Sequence, residues 1–262
     1  MTAADPEAHV ALEDVRVAFG PRVVFDGLDC RFPRGRISVL MGGSGSGKST
    51  ILRLIGGLLR PARGRVWVAG EDVTQLTERG LNRVRRRLGM LFQGSALFDS
   101  LSVAENVALP LRERRELSGQ EIEAEVQRRL ADVGLEDSGE LMPGQLSGGM
   151  QRRVGLARAI VSSPEILLCD EPFSGLDPLN VRRIEALLVD LNRRYGHTVI
   201  VTSHHVPSTR RMAQQVVFVR EGHAVAGTPA ELEMGPDPAI VEFFRAEMDG
   251  ESPAPSARAG GA

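Results

Sequence analysis

The chain has 262 residues, 42% of them apolar and 25% charged, with a formal net charge of −2 at neutral pH. That suits a folded chain of one large α/β domain or two small ones and removes the bulk electrostatic case for a nucleic-acid partner. No apolar run reaches the ~18 residues of a membrane span, the acidic start Met1-Thr2-Ala3-Ala4-Asp5-Pro6-Glu7 is not read as a secretory leader, and Cys30 and Cys169 form no CxxC pair, so a reducing cytosol is the expected setting.

Alternation over 15–19 and 23–25 predicts two strands around a Gly20-Pro21 turn. A short apolar strand over 36–41 runs into the loop Gly42-Gly43-Ser44-Gly45-Ser46-Gly47. A helix over 48–59 follows, with Ile51, Leu52, Leu54, Ile55 and Leu58 at helical spacing, ended by Pro61 and Gly64. Residues 65–70 and 88–93 read as strands. From 102 to 130 the pattern is helical and charge-laced, with Ile122, Val126 and Leu130 on one face. A helix over 150–162, a strand over 165–169, a helix over 181–194 and strands over 198–202 and 216–219 complete the series. Strands alternating with helices predict a mainly parallel sheet covered on both faces. The division expected is a tail over 1–9, a core over 10–94 and 159–228, a helical insert over 95–158, a C-terminal extension over 229–249 and a disordered tail over 250–262, whose Gly, Ser, Pro and Ala cannot build a core.

The segment 42–49 matches GxxxxGK[ST] between a strand and a helix, the setting of a phosphate-binding P-loop. Glycines let successive N–H groups turn toward phosphate oxygens, and the following helix adds the partial positive charge of its N-terminus. Lys48 is expected at the β- and γ-phosphates, and Ser49 offers a hydroxyl to Mg²⁺. Lysine and arginine together number 32, yet only one of them, Lys48, is lysine. A compact ammonium retained at the one position the motif requires points to a need that a planar guanidinium does not meet.

Ile166-Leu167-Leu168-Cys169-Asp170-Glu171 reads as a buried strand ending in two carboxylates. Asp170 is expected to hold Mg²⁺ through water, and Glu171 to act as general base on an attacking water. Gln93, at a strand end, is a candidate for Mg²⁺ and the water. His204, after another strand, is a candidate for the γ-phosphate. Phe19 is a candidate for stacking on a base, against the simpler reading of a core aromatic. Leu146-Ser147-Gly148-Gly149-Met150 opens a helix and makes a second anion site, where a capped helix start is the simpler alternative.

The P-loop at 42–49, Gln93, Leu146 to Met150, Ile166 to Glu171, Ser174-Gly175-Leu176-Asp177 and His204 together resemble the ABC-transporter ATPase family, in order and spacing over about residues 10–228. The resemblance implies a P-loop ATPase core with a small antiparallel β subdomain and an inserted helical subdomain. It implies ATP bound by Phe19, Gly42, Gly43, Ser44, Gly45, Ser46, Gly47, Lys48, Ser49 and Thr50. Ser147, Gly148 and Gly149 of a second copy would close on the γ-phosphate in a head-to-tail homodimer, Asp177 would couple the two sites, and Ser49, Gln93 and Asp170 would hold Mg²⁺. Catalysis would fall to Glu171, His204, Gln93 and Lys48. Two residues depart from the common pattern: Met150 stands where glutamine is commoner, and His205 where an aspartate often follows the histidine.

A narrower likeness covers Leu54-Ile55-Gly56-Gly57, residues 92–98 and 105–113, Asp170-Glu171-Pro172-Phe173 and residues 237–244. These are similar to the ATPase subunits of Mla-type phospholipid transporters. That likeness implies an integral membrane permease, an MCE-domain lipid-binding protein and a STAS-domain protein as partners, at the cytoplasmic side of an inner membrane. An ABC ATPase serving another substrate is the alternative. With no spanning segment the work passes to a separate permease, and Ala96, Leu97, Phe98, Leu101 and Val103 are the expected contact. The arginine runs at 83–87 and 114–115 read as a solvated face more readily than as a headgroup site. About 100 residues without heptads separate the two anion sites, which argues against a chromosome-maintenance ATPase with its long coiled coil. Glu171 argues against a non-hydrolysing regulatory subunit.

Overall fold

A computed structural model describes residues 8–249. Of the two expected tails, 250–262 lies outside the described residues, as does 1–9 except for residues 8 and 9, which open the first strand. In chain order, β1 (Ala8–Phe19) and β2 (Arg22–Pro33) form a hairpin, and β3 (Ile37–Met41) enters the phosphate loop and α1 (Lys48–Ile55). Then come β4 (Arg63–Val68), β5 (Glu71–Asp72), α2 (Glu78–Arg85) and β6 (Leu88–Leu91). A helical block holds α3 (Val103–Arg114), α4 (Gly119–Asp132) and α5 (Gly148–Ile160). It is followed by β7 (Ile166–Asp170), α6 (Pro178–Tyr195), β8 (Thr198–Thr202), α7 (Val206–Met212), β9 (Gln215–Arg220), β10 (His223–Gly227), α8 (Pro229–Glu233) and α9 (Pro238–Asp249).

The larger sheet has the order β10-β9-β3-β8-β7-β6, parallel except at the β10 edge. Its period-two alternation divides the core into two layers. Val39, Leu167, Val199, Val201 and Val216 face one way, into a cluster shared with α3, α5, α6 and α9. Leu40, Ile166, Leu168, Ile200 and Val217 face the other way, into a cluster built with α1 and the antiparallel sheet β2-β1-β4-β5. A sheet buried on both faces needs near-continuous apolar strands, and β3, β7 and β8 have them. Parallel strands end together, so the loops after β3, β6, β7 and β8 gather at one edge, which is where a doubly covered sheet carries its ligand.

Several boundaries differ from the expectation. The first helix stops at Ile55 instead of 59, because Gly56 caps it and Gly57 turns the chain with φ 63°. The run over 102–130 is two helices. Arg115, left-handed at φ 54°, ends α3, and Ser118 restarts the chain as the N-cap of α4 in a capping box with Glu121. Val103 is not on the exposed contact surface: it is fully buried at the start of α3, with its N–H bonded to Leu141 O at 2.8 Å. The arginine run is largely paired, Arg83 to Glu71 at 2.5 Å, Arg85 to Glu78 at 3.0 Å, Arg86 to Glu116 at 2.5 Å and Arg87 to Glu165 at 2.6 Å.

Candidate active site

The loop between β3 and α1 rests where no side chain would fit. Gly42 has φ 139°, and a Cβ there would meet Val219 O at 2.2 Å. Gly47 has φ 103°, and a Cβ there would meet Phe25 Cζ at 2.3 Å. The glycines therefore let the loop lie directly on β9 and β2. α1 then starts with no side-chain cap and no acidic residue in its first turn, so its N–H groups face the loop's concave side unclaimed by side chains. Ser46 Oγ, also in the loop, is buried with no hydrogen-bond partner. An unsatisfied buried hydroxyl beside uncapped N–H groups is a site shaped for an anion.

Lys48 Nζ donates to Gly42 O at 2.8 Å and Gly43 O at 3.1 Å. Burial lowers its pKa, while Glu171 and Asp170 act the other way. Ser49 Oγ donates to Asp170 Oδ1 at 3.1 Å, and Thr202 Oγ1 donates to the same oxygen at 2.7 Å. The start of α1 and the ends of β7 and β8 are thus tied together at the carboxylate. The Glu171 N–H donates to Thr202 Oγ1 at 2.8 Å, and Glu171 has φ 45°, a left-handed backbone that costs a glutamate about 1–3 kcal/mol. Its carboxylate meets His204 Nδ1 at 3.2 Å.

Beside these groups lies a cleft of about 770 Å³ lined by Gly42, Gly43, Ser44, Gly45, Gly47, Lys48, Ser49, Thr50, Gln93, Glu171, Ser174 and His204, together with Arg22, Val24, Phe243 and Phe19, the last 48% exposed; Asp170, bonded to Ser49, is not part of the lining. Every expected loop residue but Ser46 lines it, and Ser46 borders the adjoining cavity with Gly45. Ser49 Oγ, the Asp170 carboxylate and the Gln93 amide supply oxygen donors, the set a hard Mg²⁺ prefers. Among the described residues no group of three or more His, Cys, Asp or Glu could hold a metal ion.

Ser147, Gly148, Gly149 and Asp177 do not line this cleft. Ser147 caps α5 by accepting the Met150 N–H at 3.3 Å. Asp177 caps α6, accepting from Leu179 and Asn180 N–H at 3.0 Å each, and these bonds hold its carboxyl below the usual range. The two helix starts touch: a Cβ on Gly149 would lie 2.5 Å from Asn180 Oδ1.

Sequence reasoning did not place Arg22, Val24 and Phe243 in the cleft, and it missed one buried tie behind it. Arg152, buried on α5, donates from Nη1 to Phe92 O at 3.1 Å and to Gln93 O, and from Nη2 to Ser174 O at 3.1 Å. It joins the segment carrying Gln93 to the one leading into Asp177. Nearby, Ser95 and Ala96 are both left-handed (φ 59° and 47°), and Arg158 binds their two carbonyls at 2.5 and 2.7 Å. The signal available was Arg152 and Arg158, six apart on a helix that also carries Gln151 and Arg153.

Comparison with known proteins points the same way. The profile of the ABC transporter family matches residues 25–174. The intermembrane phospholipid transport system ATP-binding protein MlaF of Escherichia coli K12 is 40% identical over 93% of this chain and 91% of its own. MlaF of Haemophilus influenzae is 41% identical over 88% of each. The ATP-binding cassette MJ0796, solved as a dimer in a post-hydrolysis state with ADP and Pi, superposes with a TM-score of 0.76 at 32% identity, covering 84% of this chain and 98% of that one. With the family profile matching residues 25–174 and these relatives matching over most of the chain, this protein belongs to the ABC transporter family of ATPases.

Proposed function

We propose that this chain is the ATP-hydrolysing subunit of a transporter that moves phospholipid between an inner and an outer membrane. The observation that carries the reading is the cleft at the end of β3, β7 and β8 in a chain similar to MlaF over nearly its whole length. ATP is the substrate. Its adenine stacks on Phe19, its phosphates lie in the loop 42–49 and on the uncapped start of α1, and Lys48 leaves the carbonyls of Gly42 and Gly43 to meet the β- and γ-phosphates. Ser49, Asp170 and Gln93 would hold a Mg²⁺ ion, which would supply charge neutralisation at the phosphoryl oxygens. Glu171 accepts the proton of the attacking water, and His204, now against that carboxylate, holds the glutamate in place and bonds the γ-phosphate.

The second anion site of the family pattern, the turn at Ser147-Gly148-Gly149, does not border the cleft. The reading therefore requires two copies head to tail, each bringing that turn to the other's γ-phosphate and Asp177 to the seam. The dimeric MJ0796 cassette supports this arrangement. No helix among the described residues is long and apolar enough to cross a membrane, so force must pass to an integral permease on the cytoplasmic side of the inner membrane, working with an MCE-domain lipid-binding protein and a STAS-domain protein. A groove of about 690 Å³ between β6 and α3 supports that contact. Phe92 and Phe98, 42% and 52% exposed, flank it above Leu109 and Pro110. Buried Asn106 braces the Phe98 segment, accepting from Phe98 N at 2.8 Å and donating to Phe98 O at 3.1 Å.

The test is co-purification from membranes with identification of the associated proteins and lipid. A permease and an MCE-domain protein with bound phospholipid support the reading, and a permease carrying a different substrate overturns the phospholipid part. Turnover by isolated monomers equal to that of the assembled complex overturns the dimer.

A further inference from the structure

His205 departs from the family pattern and has no part in the mechanism above, yet its surroundings are built. It is the N-cap of α7: Nδ1 accepts the Ser208 backbone N–H at 3.2 Å and lies 2.5 Å from Ser208 Oγ. Ser208 is fully buried and donates its one hydroxyl proton to Glu185 Oε1, so the link from His205 to α6 runs through the Ser208 backbone N–H and then its hydroxyl. Glu185 is buried on α6 and held by Arg211, whose Nε donates to Oε2 at 2.7 Å and Nη2 to Oε1. The imidazole ring packs against Phe173, centroids 6.4 Å apart, two residues beyond Glu171. The His205 N–H donates to Ser203 Oγ at 2.9 Å, closing the loop on itself.

The groups facing His205 are Glu185 from α6 (itself 4.0 Å from Arg182), Arg211 and Ser208 from α7, and His204 beside it. In such company an aspartate would set a second carboxylate across Ser208 from Glu185. A neutral imidazole gives the same cap without that repulsion. Burial, then Arg211, lowers the His205 pKa and favours the neutral ring.

We propose that His205 is a positioning residue for hydrolysis: it fastens the loop that carries His204 to α6 through Ser208 and Glu185, and so holds His204 against Glu171. α6 begins at Pro178, capped by Asp177, and Glu185 stands about two turns along it, roughly 12 Å down the axis. A stiff helix joined by a buried hydrogen-bond chain transmits displacement at Asp177 to the hydrolytic histidine. The inference rests on the reading of Glu171 and His204 as the hydrolytic pair.

The experiment is steady-state ATP hydrolysis by the membrane-extracted complex carrying single substitutions. His205→Ala and Ser208→Ala are each expected to lower kcat about tenfold with the KM for ATP shifted less than about twofold, since the loss is in the transition state and not in binding. His205→Asn keeps a capping oxygen and is expected to recover kcat to within about threefold of wild type. Wild-type turnover should also fall on acidification as His205 protonates and loses its cap acceptor, a limb absent from the His205→Asn profile. Wild-type kcat in either alanine variant overturns the proposal, and so does a His205→Asn as slow as His205→Ala. If His205→Ala does not fold, Ser208→Ala decides. His204→Ala or Glu171→Gln at wild-type rates would instead remove the underlying pair, so the two failures are distinguishable.

Discussion

Replacing Arg152 by alanine tests whether the site is held together by one buried cation. The guanidinium serves three backbone carbonyls, those of Phe92, Gln93 and Ser174. A hydrogen bond from a charged donor contributes ~1.5–3 kcal/mol, and a carbonyl left without a partner costs ~1–3 kcal/mol. Against this stands the desolvation of the arginine itself, which burial makes large enough to lower its pKa. Three carbonyls left without partners outweigh the desolvation recovered, and with some relaxation of the Gln93 segment we expect a loss of about 3 kcal/mol. For a chain of this size that is a fall in melting temperature of about 6–12 °C. Lysine should not rescue it, because a point charge cannot span three carbonyls that a planar fork reaches together. The assay is thermal unfolding of wild type, Arg152→Ala and Arg152→Lys with and without ATP, together with ATP turnover. The ATP-dependent rise in melting temperature should persist in both variants, because Arg152 bonds only the carbonyls of Phe92, Gln93 and Ser174 and leaves the 42–49 loop untouched, while turnover falls as Gln93 loses its anchor. A melting temperature within about 2 °C of wild type, with turnover intact, would refute the account of Arg152 as the link between the two segments.

Other substitutions probe the phosphate loop and the base. Glu171→Gln should bind ATP, accumulate as an ATP-loaded dimer on size exclusion, and lose about 100-fold or more in turnover. Lys48→Arg should abolish most nucleotide binding by calorimetry, since the ammonium sits in a narrow ring of loop carbonyls. Gly42→Ala sets a methyl 2.2 Å from the Val219 carbonyl at φ 139°; we expect about 2–3 kcal/mol of destabilisation by urea titration and weakened ATP binding, from strain alone. Burial holds the pKa of His9 and His197 below the ordinary 6.5. The unfolded chain then binds more protons than the folded one as the pH falls below that value. The stability these neutral rings contribute is therefore present above about pH 6.5 and lost on acidification toward their lowered pKa values. A melting temperature independent of pH from about 7 to 5 would contradict this linkage.

The parts legible in the sequence are those where one backbone requirement excludes nearly every side chain. Gly42 and Gly47 are required by contacts under 2.5 Å, Lys48 by the loop's geometry, and the strands β3, β7 and β8 by burial on both faces. Each leaves a local mark that can be read without the fold. The short elements leave less. α2 and α7 present few apolar positions over 8 and 7 residues, too short a window for periodicity. β10 is an edge strand whose residues stay mostly exposed, so it lacks the apolar run that announced its neighbours. Val103 was misjudged because an apolar residue after a serine cap reads equally well as a surface contact and as the first buried position of a helix.

What joins the parts was illegible for a different reason. Arg152 meets carbonyls about 60 positions away in Phe92 and Gln93, and Glu185 meets Ser208 and Arg211 more than 20 positions on. Such partners are backbone atoms or ordinary polar side chains, so neither end carries a distinctive residue. Their energy comes from burial, which only the assembled fold supplies. The consequence is a division of labour that mutagenesis can separate. Residues marked by spacing contact the phosphates or the water, and their loss removes binding or chemistry. The buried ties set where those residues stand. Loosening a tie should leave ATP binding through the 42–49 loop largely intact and slow the step that needs Gln93, Glu171 and His204 aligned at once.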